Sequence, residues 1–358
     1  MRLFSLMLAL CLVSPSLVQG QAPTPTSPLP NRSLTELLET IRNPASSIDR
    51  VQAAEEIAGF GSLAVRPLTE ILATHDPTVQ SSVLLALRRI GADASEAVPA
   101  VIEIAVDADN ALQRMAIEVL GAIGRDAAEA VPALAALLPV RNEERRYHIL
   151  NSLLLIGDDA AHQALADAYQ RGDRTQQLAV LRALREFPES AAALMPLLVD
   201  QFVQGNSRFE SHLLQLINLA PESSIPHLLA SLESGPPERR RRALIALCQP
   251  RVASAGAEAV GLLTESLQDS DPVVRFWALQ VLGAIGIAAQ KSSSQIIACF
   301  QDPDADVRWQ AIETVQQLGL ARQAIAPLQR LLADPHPAVR KAAEEAVRSA
   351  NGDYRRSS

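Results

Sequence analysis

Between Asp271 and Gly286 the apolar residues fall at Val274, Ala278, Val281, Leu282 and Ile285, the three-to-four spacing of one helix face. An Asp-Pro pair opens the stretch and a glycine closes it. Asp suits an N-cap, Pro the first helical position, and Gly a left-handed cap at the far end. A short Ala-rich turn follows, and then a second apolar helix is predicted with its own proline near the start, as at Pro67, Pro99, Pro132, Pro226 and Pro327.

This grammar repeats. Gly91, Gly124 and Gly157 stand 33 residues apart, as do Gly286 and Gly319, and Val98-Pro99 recurs as Val131-Pro132. The unit openings repeat as Asp271 to Arg275, Asp304 to Arg308 and Asp334 to Arg340. With Arg50 as an early copy the array runs from about Ser46 to Ala350, roughly nine units. Neither helix of a unit can bury its stripe alone, so the units must stack. The predicted fold is all-α, an α-solenoid of two-helix repeats over residues 33–350. Ser33-Leu34-Thr35-Glu36 carries the capping-box pattern that would open the first helix.

Composition narrows the picture. Apolar residues make up 48% of the 358 and aromatics only 3%, which favours closely packed helices of Ala, Leu and Val over strands. The net charge of −8 argues against nucleic-acid binding as the main task, since that needs a basic footprint. Cys11, Cys248 and Cys299 are too few for a disulfide framework or a Cys-x-x-Cys zinc site.

At the N-terminus, Arg2 precedes an apolar run from Leu3 to Val13, and small residues follow near Gly20. This is the layout of a secretory signal peptide over residues 1–20, too short and too interrupted by Pro15 for a membrane span. A Pro/Thr-rich linker occupies 21–32, and a polar tail 351–358. The expected location is extracytoplasmic, periplasmic or secreted.

The motif D-P-x-V-R-x-x-A-[LI]-x-x-[LI]-G is met by Asp271 to Gly286 and by Val307 to Gly319. It resembles the HEAT-like repeat family, most closely the short repeats named for phycobilisome lyases. The resemblance implies the solenoid fold and only weakly a function, because such repeats serve adaptors, chaperones and a few enzymes. It implies bilin handling as an alternative, set against the export signal. Deoxyhypusine hydroxylases, an enzyme class built on such repeats, rely on His-Glu pairs, and this chain has no His-Glu dipeptide. Between Asn142 and Pro250 the motif is eroded: Phe187-Pro188 replaces Ile-Gly and Asp-Pro is lost, which reads as a bend or irregular spacer.

Candidate site residues follow from the repeat. Arg50, Arg146, Arg240, Arg275, Arg308 and Arg340 form one column. It is either an anion-binding stripe or, the favoured reading, a set of structural pairs with the repeat-opening Asp or neighbouring carbonyls. Asp271 and Asp304 stand four residues before Arg275 and Arg308, within local pairing range. Together with Pro272 and the five glycines these are the structural repeat positions. Arg239 to Arg242 point in four directions on a helix and are expected to be a solvated face.

The position after the arginine column varies, holding Ser81, Arg114, Tyr147, Leu178, Arg241, Phe276, Trp309 and Lys341. Tyr, Phe, Trp and Arg are hot-spot types, so Tyr147, Phe276, Trp309, Arg114 and Arg241 are the candidate partner-binding residues, against the plainer reading that the rings fill gaps between helices. Trp277 is expected in the core. His75, His148, His162, His212, His227 and His336 share no metal-ligand spacing, and no phosphate loop or nucleophile elbow is present. The expectation is a non-enzymatic, monomeric scaffold that binds a protein partner, needs no cofactor or metal and keeps no stable membrane span after signal cleavage.

Overall fold

A computed structural model describes residues 32–74, 76–107 and 110–351. The signal segment, all of the linker except Arg32, His75 and the tail after Asn351 lie outside the described residues. Cα packing divides the chain into two compact units, Met1–Ile90 and Gly91–Ser358.

In the first unit Ser33 opens the helix Leu34–Arg42 with a reciprocal capping box. The Glu36 amide donates to Ser33 Oγ at 3.3 Å and the Ser33 amide to Glu36 Oε2 at 2.8 Å. Helices Ser47–Ile57, Val65–Leu72 and Pro77–Ile90 follow. They bury Leu37, Ile41, Ile57, Leu68, Leu84 and Leu87. Arg32 closes on Glu56 at 2.6 Å.

In the second unit the first helices of successive repeats pack one along the next. They are Asn110–Ile123, Glu143–Ile156, Arg174–Leu184, Glu210–Leu219, Pro237–Leu247, Pro272–Ile285, Ala305–Gln317 and Pro337–Asn351. The second helices, such as Val131–Leu137, Asp159–Arg171, Pro221–Ser234 and Ile325–Leu331, return antiparallel to them. The interior is Ala, Leu, Val and Ile, with Tyr169, Phe202, Phe209 and Phe300 as the buried rings. The fold is an all-α solenoid of helix pairs.

Glycine turns the chain between the helices of a pair. Gly91, Gly124, Gly157, Gly286 and Gly319 all have positive φ. Only some take the expected cap geometry: Gly157 is left-handed helical (φ 58°, ψ 25°), whereas Gly286 sits at φ 77°, ψ −135°. That second conformation is open only to glycine, and it re-aims the chain directly into the 3₁₀ turn Gly286–Ser292. The break also divides the apolar stretch Pro272–Gln301, which by length and composition alone could cross a membrane.

The interval 142–250 forms helices from Glu143–Ile156 to Pro237–Leu247, interrupted by the non-helical stretch 204–209, and is not a spacer. After Gly157 its helix ends use other devices. Phe187 takes φ −128°, ψ 79° because the Pro188 ring excludes the helical conformation for the residue before it. Pro226 departs from expectation: it is the sixth residue of Pro221–Ser234, and Pro221 occupies the start.

Candidate functional site

At Arg240, Arg275 and Arg308 the arginine column on the first helices pairs from one repeat to the next. Arg275 Nε and Nη2 donate to the two carboxylate oxygens of Asp302, both at 2.7 Å. Arg308 grips Asp334 in the same way at 2.8 and 3.0 Å, and Arg240 grips Asp269 at 2.8 Å twice. The third nitrogen of each, Nη1, donates to a carbonyl of its own loop: Arg275 to Asp269, Arg308 to Asp302 and Arg240 to Gly235. Arg340 Nη1 likewise bonds Asp334 O at 2.7 Å.

The acceptor is not the helix-opening Asp expected from spacing. Asp271 and Asp304 are occupied as N-caps, accepting from the amides of Val273 and Asp306 at 2.9 Å each. The bridging carboxylates lie two residues earlier, and each also accepts from an amide two residues on: Asp271 for Asp269, Asp304 for Asp302, His336 for Asp334. One Asp therefore folds its own loop and receives the arginine of the preceding repeat. The hydrogen bonds to Asp302 and Asp334 raise the Arg275 and Arg308 pKa above the ordinary value. Burial pushes Asp334 upward, but the bonds from Arg308 and the His336 amide outweigh it and leave it below the usual carboxylate range.

Elsewhere the column holds glutamine, which sequence reading passed over. Gln80, Gln113 and Gln177 each donate through Nε2 to the carbonyl eight residues back, Leu72, Ala105 and Tyr169, at 3.1, 2.8 and 3.0 Å. A 33-residue spacing from Arg146 back to 113 and 80 was the available signal.

The four consecutive arginines are not a solvated face. Arg239 reaches Asp200 at 2.6 Å, and Arg242 reaches Glu210 and the Phe202 carbonyl at 2.7 Å while lying 4.7 Å over the Phe202 ring. Arg240 and Arg241 turn the other way, to Asp269 and Asp271. Because the four point in different directions, helix Pro237–Leu247 is tied to the repeats on both sides.

In the variable column, Tyr147 stands 62% exposed, with His148 edge-on to its ring at 5.6 Å. Phe276 and Trp309 are half-buried on the adjacent helices Pro272–Ile285 and Ala305–Gln317. Tyr147 is several repeats away from both. Trp277 is half-buried and not in the core, and it meets Phe276 edge-on at 5.8 Å. Arg241 is committed to Asp271, and Arg114 lies 3.6 Å from Glu144.

The reactive side chains are quiet. Burial raises the Cys248 and Cys299 thiols to about 11, with Asp302 adding to the effect at Cys299. His162 Nε2 lies 3.1 Å from Ser190 Oγ, but Ser190 is buried, closed to a substrate. Among the described residues no three His, Cys, Asp or Glu side chains are placed to hold a metal ion.

Two-helix units turned by glycine and bridged by Arg–Asp pairs define a repeat protein of the α-solenoid class. The chain belongs to the HEAT repeats: residues 98–185, 225–296 and 287–348, together more than half of it, match that family. Only 186–224 interrupts the match from residue 98 onward, a narrower gap than the eroded motif suggested. Among solved structures it is similar to an engineered protein, with 18% identity over 89% of this chain and 98% of that one (TM-score 0.37). It is also similar to the complex of CpcE and CpcF of phycocyanin lyase from Nostoc sp. PCC7120, with 23% identity over 43% of this chain and 98% of that one (TM-score 0.39). Kap121p bound to Nup53p is similar over 90% of this chain and 42% of that one, at 13% identity (TM-score 0.47). No curated protein matches the sequence.

Proposed function

We propose that this HEAT repeat protein is a non-enzymatic scaffold that binds a protein partner outside the cytoplasm through the first-helix column beside the arginine ladder. The observation that carries the reading is Tyr147, a large ring left 62% exposed at the register position that holds Phe276 and Trp309 in other repeats. Exposed rings on a rigid frame lose little entropy on binding and bury much area, which is why Tyr and Trp anchor interfaces. At Phe276 and Trp309 the ladder supplies rigidity, since Arg240, Arg275 and Arg308 each bridge to the loop of the next repeat. Arg114 and Arg241 already hold carboxylates, so their part would be to border the rings. The location rests on the signal-like residues 1–20.

The test is affinity capture of the mature exported protein, compared with a variant carrying Tyr147→Ala, Phe276→Ala and Trp309→Ala. The expected result is loss of the captured partner while the helical circular dichroism is unchanged. An unchanged partner set with an intact fold would overturn the assignment of the face.

A further inference from the structure

Arg146 occupies the ladder column without a ladder carboxylate. It is 4% exposed, and its Nη2 donates to the carbonyl of Val140, six residues back, as Arg275 and Arg308 do to theirs. Its Nε and Nη1 are buried with no hydrogen-bond partner. A buried guanidinium with unmade bonds costs far more than a paired one, so the two open donors mark a place built to be filled.

The next loop shows why the place is open. In the ladder the bridging Asp lies two residues before the N-cap of the following first helix, as Asp302 does before Asp304. The N-cap of helix Arg174–Leu184 is Asp173, whose carboxylate accepts the Gln176 amide at 2.8 Å. Two residues before it stands Arg171, an inverted charge. Arg146 lines a cavity of about 540 Å³ together with Arg141, Arg171, Asp167 and Asp173. Asp167 lies 3.4 Å from Arg171 Nη1, and neither aspartate supplies Arg146 with a bond. Arg50 repeats the pattern more weakly, with a buried unpaired Nε and Thr74 at the bridging position.

We infer that the cavity at Arg146 is a carboxylate-binding site, in which an external carboxylate accepts from the guanidinium the bonds that Asp269, Asp302 and Asp334 accept within the ladder. The carboxylate can come from a small acid or from an acidic side chain of a bound polypeptide, and the chemistry is the same. The inference does not depend on the exposed aromatic column.

The measurement is thermal unfolding of the full mature chain in rising sodium acetate, against sodium chloride at equal ionic strength. A parallel titration uses a blocked tripeptide with a central Asp and its Asn counterpart. A ligand that binds only the folded state should raise Tm by about 2–4 °C near saturation. Response to acetate and to the Asp peptide identifies the carboxylate alone as ligand, and response to the Asp peptide only identifies a polypeptide source. Two variants keep the test decisive. Arg146→Gln should fold, because Gln80 and Gln113 fill the same column position, and it should lose the response. Arg171→Asp restores the missing bridging residue, so it should raise Tm without ligand and abolish the response. An equal response in wild type and Arg146→Gln, or no response of wild type to either carboxylate probe, would overturn the site.

Discussion

Asp334 does two things at once: it holds the His336 amide at 2.8 Å and receives Arg308 from the preceding repeat. With side chains only 11% and 5% exposed, the pair is weakly screened. Asp334→Ala leaves Arg308 buried and unpaired and should cost about 3 kcal/mol in denaturant unfolding. The double variant Arg308→Leu with Asp334→Leu should recover much of that loss, because it removes the desolvated charge along with its partner. Acid should mimic the first change. At Asp271 and Asp334 burial works upward, but arginine and amide hydrogen bonds prevail and hold both carboxylates below their ordinary value. Their contribution is therefore complete above the unfolded value of about 3.9 and lost as pH falls through the lower folded value. Asp334→Asn should flatten the acid limb of the stability curve relative to wild type. Burial also sets the thiols: with Cys248 and Cys299 raised to about 11, both should resist alkylation at pH 8 until denaturant is added.

Between elements, small residues set how closely first helices approach. Ser152 Oγ donates to Ile117 O at 2.7 Å, and in the same register Thr314 Oγ1 donates to Leu279 O at 3.0 Å. A Cβ at Gly121 would fall 3.0 Å from Ser152 Cα and 2.7 Å from its Oγ, so Gly121→Ala should force helices Asn110–Ile123 and Glu143–Ile156 apart and lower Tm. At the equivalent Gly283 the obstruction is the end of the Gln317 side chain, which can move. There Ala should be neutral, or stabilising by up to about 1 kcal/mol from helix propensity. Much of this level was legible in the sequence. The glycine spacing and the Asp-Pro openings located helix ends, because caps and turns are local chemistry. The acceptor of each arginine was not legible: Asp271 stands four residues from Arg275 and Asp302 stands 27 away, and only stacking shows that the distant one is the partner and the near one a cap. The run Arg239 to Arg242 was misread for the same reason, since its partners lie 29 to 40 residues away.

At the scale of the molecule, repetition makes exceptions informative. The ladder pairs Arg240, Arg275 and Arg308, while glutamine replaces arginine at 80, 113 and 177, and Arg146 is left with open donors beside a cavity. Sequence alone placed Arg146 in the column but could not show that Arg171 stood where its carboxylate should be. The variable column was legible as a register position, and its uneven exposure was not: Tyr147 stands clear, whereas Phe276 and Trp309 lean into their surroundings. On the proposed function, this column is the face that meets the partner. Site-specific photo-crosslinking tests it most directly, with a benzophenone side chain placed in turn at positions 147, 276 and 309, and at exposed Glu258 on the second-helix side. The three column positions should capture one and the same partner, and position 258 should capture none. Capture of that partner from 258, with none from the column, would contradict it.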